Sequence, residues 1–578
     1  MYLFSEEFDM EELSKSQRAR LAIRTFKTIA DALILRGYYK PSGRSGEKLS
    51  ESLQQFDPEI YGSMSDHRIV ELRGLEYVMD RMPRGIEKCN RIILTADEDF
   101  HDTSFERITP LKRRRHSYIV SEKEICFVIT RGLTEIYDIM THITFLNIES
   151  QKIHRQICHK EEGTCSEWHE LENIVKNDID LEGPALDQAI WTLSIILGRT
   201  YREARETFEN FAVHHKKNGN YNNGLFGIIY GMGNRIIEET KSHDTLLTIY
   251  FTPSLQDMIG RHKYATLWAK NIKRNLHSLG FGSRSIHVVS ANMHSMKSIL
   301  YGAGYLKSNG KKVPENLYTM AADLRHKEDE LSEYATEFGF TYLHDTSESN
   351  IDVMVFDSSK ITEYNLHPSI RCDYEYIQQE KPVIVVIDYA FGAQAFDILD
   401  ELLCPCHFDD QTVSFKIDSV NIMGKAGTLP GNKGDIMLAT AHVMEGTANN
   451  YIVDNDLEVK DFDENYPIHV GPMVTVLGTS LQNRDVLARF HTSNWKAVGL
   501  EMEGAHYQRA ISAAIIQGHI SRDIKTRYAY YASDNPLHIG ETLASGSLGD
   551  DGILPTYMIT KVLLQKIINP PPVKECEL

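Results

Sequence analysis

FKIDSVNIMGKAGTLPGNKGDIMLATA, residues 415–441, is the stretch of sequence that decides the class of fold. Its first part, 415–423, is rich in strand-forming residues, and a second strand is predicted at 436–441. Between them lie four glycines within eleven residues, 424–434. Glycines at a strand end allow backbone N–H groups to approach a ligand and form an anion-binding concavity. Glycine-rich turns are also common between strands, so this segment alone does not identify a site.

Strands and helices alternate on both sides of this stretch. Upstream, the apolar run 383–388 predicts a strand, and 393–403 predicts a helix. Downstream, 498–508 predicts a strand that turns into a helix, and 526–532 predicts a further strand. Short, continuous apolar runs are typical of strands that are buried on both faces. We therefore expect an α/β fold with a central mixed sheet, and we place this domain at 346–570.

The first part of the chain has a different pattern. Residues 1–235 carry several helical periodicities and few strand signals, with one candidate strand within 117–128, so we expect a mostly helical N-terminal domain of unknown role. The segment 236–345, which begins with the β-rich run 245–251, is predicted to be α/β. It either belongs to the domain that follows or stands apart from it.

Composition limits the classes of protein that this chain can represent. It has 578 residues with a formal net charge of −19, which argues against a general nucleic-acid binder. No apolar run approaches the roughly 20 residues of a membrane helix, and the first residues lack the pattern of a secretory signal. Eight cysteines without regular pairing fit reduced thiols. We expect a soluble, cytoplasmic protein.

Two carboxylate motifs follow the glycine-rich segment. The first contains Glu501 and Glu503 where a predicted strand turns into a helix. A carboxylate there can accept hydrogen bonds from two vicinal hydroxyls, although acidic residues are also favoured in the first turn of any helix. The second is Ser533-Asp534-Asn535 at a strand end. Asp534 there is either a turn former or a general acid whose proton is kept by burial.

The order of these three motifs resembles the superfamily of purine nucleoside phosphorylases, methylthioadenosine nucleosidases and AMP nucleosidases. The resemblance covers about 382–568, a third of the chain, and it implies that 346–570 is the catalytic domain. It implies that Glu503 binds ribose hydroxyls and that Asp534 protonates or holds the base. The other residues that it implies in substrate binding are Met502, Gly424, Gly427, Ser533, Asn535 and Arg484.

Within the superfamily, AMP nucleosidase is the most similar branch. Residues 533–541, SDNPLHIGE, resemble its Ser-Asp-x-Pro-Leu-His-Gly-Glu stretch, and 438–442 and 477–484 are similar to its equivalents. Such enzymes hydrolyse AMP to adenine and ribose 5-phosphate and carry a separate N-terminal domain. The superfamily's first strand has no fixed counterpart here: it corresponds to 245–251 or to 351–356, or it is lost, and the aromatic residue that many relatives stack on the base is absent around 480–482.

The sequence therefore predicts hydrolytic cleavage of the N-glycosidic bond of a purine nucleotide or nucleoside, without a cofactor or a metal. Two alternatives are phosphorolysis, with inorganic phosphate as a second partner, and an inactive nucleotide-sensing or scaffold protein on the same fold. The expected partners are small molecules, with neither nucleic acid nor membrane. The resemblance also implies a homo-oligomer.

A basic cluster, Lys-Arg-Arg-Arg-His at 112–116, lies outside the resemblance. Arginine side chains match the geometry of phosphate, so the cluster could bind an anion. Such runs are more often solvated loops, and we favour that interpretation.

Overall fold

The computed structural model describes residues 13–97, 99–113, 115–159, 163–218, 224–242, 245–408, 411–538 and 549–570. The chain has a mixed α/β fold and forms two compact units. The first, here called the N-terminal unit, contains Met1–Arg261 and Ser480–Val486, and the second, the C-terminal unit, contains His262–Thr479 and Leu487–Leu578. Within the described residues, no helix combines the length and the apolarity that a membrane crossing needs.

The N-terminal unit is mostly helical, as predicted. Its helices are α1 (Lys15–Arg36), α2 (Arg44–Phe56), α3 (Leu72–Met79), α4 (Leu133–Ile157), α5 (Ser166–Lys176), α6 (Gly183–Leu197), α7 (Tyr201–Asn218), α8 (Gly224–Lys241) and α9 (Pro253–Arg261). Local chemistry sets their ends. A capping box between Ser14 and Gln17 starts α1, and Gly37, at φ +87°, ends it. Residue 235, our predicted boundary, lies within α8.

This unit also contains a six-stranded sheet, for which the sequence indicated strands only within 117–128 and at 245–251. Its strands are β1 (Tyr38–Tyr39), β2 (Arg91–Thr95), β3 (Glu106–Ile108), β4 (His116–Ser121), β5 (Glu124–Val128) and β8 (Thr248–Phe251), in the order β1-β8-β2-β5-β4-β3. A separate hairpin joins β6 (Cys158–His159) and β7 (Gly163–Thr164). The run 245–251 therefore pairs with β2 in this sheet and does not open the next domain.

The basic cluster at 112–116 is only partly a solvated loop: of its described residues Lys112 is exposed, but Arg115 and His116 are buried, so our favoured interpretation was wrong for those two. Arg115 is buried and forms an ion pair with Asp138, a buried residue of α4. Lys112 Nζ lies 2.6 Å from Asp80 Oδ2. A carboxylate buried at the position of Asp138 would be costly without a cationic partner. The ion pair with Arg115 supplies that partner, which accounts for the burial of Arg115.

The C-terminal unit is built on a ten-stranded mixed sheet. Its strands are β9 (Ser285–Ser290), β10 (Phe340–Leu343), β11 (Val353–Asp357), β12 (Val383–Ile387), β15 (Lys416–Thr428), β16 (Ile436–Met444), β17 (Asn450–Ile452), β18 (Ile468–Thr475), β19 (Gly499–Glu501) and β20 (Lys525–Asp534). The main path is β10-β11-β12-β9-β15-β19-β18-β16-β17, and β20 pairs with β15 and β16. A small hairpin joins β13 (Cys406–Phe408) and β14 (Gln411–Val413).

Helices cover both faces of this sheet, which explains why its strands are apolar on both sides. The helices are α10 (Lys263–Ser278), α11 (Ser295–Ser308), α12 (Leu317–Asp323), α13 (Glu328–Thr336), α14 (Tyr374–Gln379), α15 (Gln394–Leu403), α17 (Gly504–Ile516) and α18 (Ile553–Ile568). One core includes α10, α15 and α17, and the other includes α11 and α18. A further helix, α16 (Arg484–Thr492), begins within 480–486.

Candidate functional site

Strand β15 is the meeting point of the three predicted motifs. β9 runs parallel to it as far as the register pair Ile422 and Ser290. β19 runs antiparallel to it and pairs Gly427 with Leu500, so the ends of β9 and β19 approach each other along the same side of β15. On its other side, β20 ends with Asp534 opposite Gly427. The glycine-rich stretch, the Glu-Met-Glu motif and the Ser-Asp motif therefore share one edge of the sheet.

The predicted glycine loop is partly strand. Gly424 and Gly427 belong to β15, and the turn that follows contains Gly434, at φ +87°. A Cβ at Gly427 would lie 2.6 Å from Leu500 Cδ2, so glycine is required there for the close approach of β19. The structure thus gives Gly427 a packing role, and ligand binding by Gly424 and Gly427 stays a prediction.

The two glutamates of the second motif have different surroundings. Glu501 is 2% exposed, and its carboxylate accepts hydrogen bonds from Thr475 Oγ1 at 2.5 Å and from Glu503 N at 2.6 Å. Glu503 is half-buried at the start of α17, where one carboxylate oxygen accepts a hydrogen bond from Gly392 N at 2.8 Å. Glu501 therefore holds the backbone of the helix start, and Glu503 is the more accessible carboxylate. Met502 between them is buried.

The Ser-Asp-Asn motif is buried at the end of β20. The Ser533 hydroxyl lies within hydrogen-bonding distance of Ala426 O, at 3.1 Å, and of the Asp534 carboxylate. Asn535 Nδ2 donates to Gly431 O at 2.9 Å, which ties the strand end to the glycine-rich turn. Asn535 therefore stabilises the loop, and its predicted contact with substrate remains a prediction. Residues 539–548, which include Glu541 of the AMP nucleosidase-like stretch, lie outside the described residues.

A cavity of about 200 Å³ lies beside the same strands. Basic and polar side chains from separate parts of the chain line it: Asn292 and His294 after β9, Arg325 after α12, and Lys425 on β15. The described residues that line this cavity include no acidic side chain. In a chain with a formal net charge of −19, such a concentration of basic groups favours an anionic ligand.

His294 faces this cavity as a neutral imidazole. The Tyr557 hydroxyl donates its one proton to Ala321 O at 3.0 Å, so His294 Nδ1, at 3.3 Å, is the donor to Tyr557. Burial, reinforced by the nearby Arg325 and Lys297, lowers the pKa of His294 to about 4. Burial also lowers the pKa of Lys425, while the nearby Asp534 carboxylate opposes that shift. Lys425 is therefore close enough to respond to the charge of Asp534.

The structure does not bring every predicted residue to this edge. Arg484 falls in the N-terminal unit, where its Nη2 lies 3.5 Å from Glu59 Oε2, so substrate binding by Arg484 stays a prediction. Neither candidate for the first strand occupies the central position: 245–251 lies in the other sheet, and β11 lies nearer the edge. β9 lies between β12 and β15 instead. The run Ser-Ile-His-Val-Val-Ser in β9 has the apolar pattern of a strand, but that pattern does not indicate which strands pair with it.

A larger cavity of about 950 Å³ lies in the N-terminal unit. Several of its charged side chains have partners within the unit. Lys123 Nζ lies 2.6 Å from Glu238 Oε2, and Arg235 Nη1 donates to Glu239 Oε1 at 2.7 Å. Basic and acidic groups are mixed in its lining, so its charge does not indicate one class of ligand. In the described part of the chain, no group of three or more His, Cys, Asp or Glu side chains is arranged to hold a metal ion.

Some solved structures share limited likeness with the chain. Futalosine hydrolase of Helicobacter pylori strain 26695 is 12% identical, with a TM-score of 0.25, over 49% of this chain and 96% of its own. Uridine phosphorylase from Schistosoma mansoni in complex with uracil is 13% identical, with a TM-score of 0.28, over 50% of this chain and 88% of its own. Likeness at this level assigns neither a fold nor an activity.

Sequence comparison gives a firmer result at the level of the family. No curated protein has significant sequence similarity to the chain. Residues 47–314 and 313–569, which together make up most of its length, match the family described as "Family of unknown function (DUF6909)". The chain therefore belongs to the family DUF6909.

Proposed function

We propose that the C-terminal unit cleaves the N-glycosidic bond of a purine nucleotide or nucleoside by hydrolysis. The observation that carries this proposal is the position of Gly427, which pairs with Leu500 on one side of β15 and with Asp534 on the other. This register brings the Glu-Met-Glu and Ser-Asp motifs to one sheet edge. Ligands in α/β proteins bind at such edges, where neighbouring strands end.

Glu503 is the proposed ribose-binding residue. It is half-buried, and the amide of Gly392 holds one of its carboxylate oxygens at 2.8 Å. The two vicinal hydroxyls of a ribose would donate hydrogen bonds to this carboxylate. As the glycosidic bond breaks, the sugar gains positive charge, and its attraction to the carboxylate strengthens in the transition state.

Asp534 is the proposed partner of the departing base. It is buried at the end of β20, next to the Ser533 hydroxyl. A departing purine gains negative charge on its ring nitrogens, so a carboxylic acid near the ring would donate a proton or a hydrogen bond to it. The proton would then leave with the base, and the proton lost by the attacking water would restore the carboxylic acid of Asp534.

The cavity lined by His294, Arg325 and Lys425 is the proposed phosphate-binding part of this site. In hydrolysis, it would hold the 5′-phosphate of a nucleotide while water attacks the sugar. The same observation favours a second candidate function, phosphorolysis, in which inorganic phosphate occupies the cavity and attacks the sugar itself. The two reactions give different sugar products.

The test is an assay for release of the base. The protein is incubated with AMP, adenosine and inosine, with and without inorganic phosphate, and the products are separated by chromatography. Hydrolysis of AMP gives adenine and ribose 5-phosphate, whereas phosphorolysis of a nucleoside gives ribose 1-phosphate. Asp534→Asn is expected to lower base release strongly, and Glu464→Gln, which changes an exposed carboxylate of the same unit, is the matched control.

Binding measurements on the same variants separate an enzyme from a sensor. Retained nucleotide binding without release of any base would replace the catalytic proposal with a nucleotide-sensing role. If no base is released and calorimetry gives the same nucleotide affinity for the wild type and Glu503→Gln, the proposed site itself is wrong.

A further inference from the structure

A buried arrangement of polar side chains lies next to Glu503, in the interior of the unit. Glu501 accepts hydrogen bonds from the amides of Glu503 and Gly504, and Thr475 Oγ1 accepts one from Ala505 N at 3.2 Å. The first amides of α17 are therefore satisfied by side chains from β18 and β19. The Glu503 carboxylate is consequently not needed to cap its own helix.

His442 on β16 completes this arrangement. Its side chain is fully buried, and its Nδ1 lies 3.5 Å from Glu501 Oε1. Burial alone would raise the pKa of Glu501, but His442, Thr475 and the Gly504 amide outweigh it and leave that pKa below its usual value. An ionised Glu501 is the form that accepts the helix amides best.

The start of α17 has a glycine, Gly504, at the position where the His442 ring packs against it. A Cβ at Gly504 would lie 2.2 Å from His442 Cε1 and 2.6 Å from Tyr530 Oη, so only glycine permits the ring to reach Glu501. The close approach at Gly504 is therefore an approach of His442. This contact is independent of any argument about charge.

Aromatic side chains enclose the pair. The ring centroids of His442 and Tyr528 are 4.8 Å apart, and those of His442 and Tyr530 are 6.1 Å apart. Burial raises the pKa values of both tyrosines well above their usual value, so they stay neutral. The other titratable groups around the pair include Glu503 at the start of α17, Tyr507 on α17, and Tyr451, the register partner of His442 on β17.

We propose that His442 and Glu501 form a buried pair that positions Glu503, with His442 acting through Glu501. The pair fixes the backbone amides of Glu503 and Gly504, and the side chain of Glu503 is thereby directed to Gly392 and the sugar. His442 is a positioning residue in this scheme because it touches no substrate. The inference rests on the proposed function for its kinetic test only.

The kinetic test compares His442→Gln with the wild type. Because the contact with His442 lowers the pKa of Glu501, its loss should raise that pKa, so the acid limb of the kcat/KM profile should move to higher pH by about one unit or more, with kcat at least about tenfold lower at pH 6. The matched control is His469→Gln. His469 lies on β18, with Nε2 2.9 Å from Asp435 Oδ2, and its replacement should leave the acid limb in place.

A second measurement does not depend on activity. In a chain labelled with ¹⁵N-glycine, the Gly504 amide reports on its hydrogen bond to Glu501, and the signal that disappears in Gly504→Ala assigns it. This signal should stay constant between pH 8 and 5 in the wild type and should titrate in that range in His442→Gln. If the wild type releases no base but the signal behaves this way, the proposed function fails and the positioning pair stands.

The proposal is overturned if the Gly504 signal and the acid limb are the same in His442→Gln and the wild type, even where the variant is less stable. Should His442→Gln not fold, Gly504→Ala displaces the ring while keeping the histidine. A normal acid limb and normal kcat in Gly504→Ala would also contradict the proposal.

Discussion

Three charged side chains of the two compact units have different surroundings: Asp138 in the N-terminal unit is buried, whereas Glu503 and Lys425 in the C-terminal unit lie at a sheet edge and beside a cavity. In the N-terminal unit, Asp138 is buried in the middle of α4 and forms an ion pair with the buried Arg115. Burial would raise the pKa of Asp138, but His142, Arg115 and Arg113 outweigh it and hold that pKa at about 2. In the C-terminal unit, Glu503 is only half-buried at a sheet edge, and Lys425 lines a cavity.

This difference indicates what each group of charges does. A buried charge that is neutralised inside its own unit is costly to expose or to leave without its partner, so it contributes to folding. Charges at the edge of a sheet cost less to keep, and a ligand can reach them. Substitutions in the first group should therefore change stability, and substitutions in the second should change ligand handling.

The largest effect is expected at Asp138. Replacing it with alanine leaves Arg115 buried without its carboxylate, so Asp138→Ala should lower the free energy of unfolding by about 3–5 kcal/mol. Denaturant titration followed by circular dichroism measures this change. The control is Glu51→Ala, which breaks an exposed pair with Lys48 and should change stability little. Equal effects of the two variants would contradict the comparison.

The neighbouring glutamates should separate stability from activity. Glu501→Gln disrupts a buried acceptor and should lower the free energy of unfolding by about 1–3 kcal/mol. Glu503→Gln should change stability much less and should lower kcat/KM for base release by about 100-fold, because it weakens a transition-state contact. Parallel unfolding and kinetic measurements test both. The comparison fails if Glu503→Gln is the less stable variant.

Acid should destabilise both units through buried histidines. Burial is the main cause that lowers the pKa of His142 to about 3 and that of His287 to about 4. The unfolded chain takes up these protons first, so stability should fall as the pH drops below about 6.5, by up to about 1.4 kcal/mol per pH unit for each histidine. Urea titrations at pH 7, 6 and 5 measure the slope. A slope in His287→Gln as steep as in the wild type would contradict this prediction.

The smallest effect is expected at Lys425. Lys425→Met should weaken the binding of AMP by about tenfold, since one cation is lost from the proposed phosphate site. It should leave the affinity for adenosine unchanged. Lys433→Met is the control because Lys433 is exposed in the neighbouring turn and does not line the cavity. Calorimetry measures the affinities for AMP and for adenosine. An equal loss of affinity for the two ligands would exclude a phosphate contact.

The sequence alone determined the class of fold and the order of the motifs. Alternating apolar runs and helical periodicities report local burial, which is why β12, β15, β16 and β20 were predicted close to their observed positions. These are properties of short segments.

Only the tertiary structure decided which segments are neighbours. The run 245–251 carries a clear strand pattern, yet nothing in it specifies pairing with β2 in the N-terminal unit. One cavity is lined by residues from three separate parts of the chain: Asn292 and His294, Arg325, and Lys425. Arg115 is buried because Asp138, on another element, forms an ion pair with it. Periodicity records how deeply a segment is buried, whereas pairing, cavities and buried ion pairs depend on long-range packing that no single segment encodes.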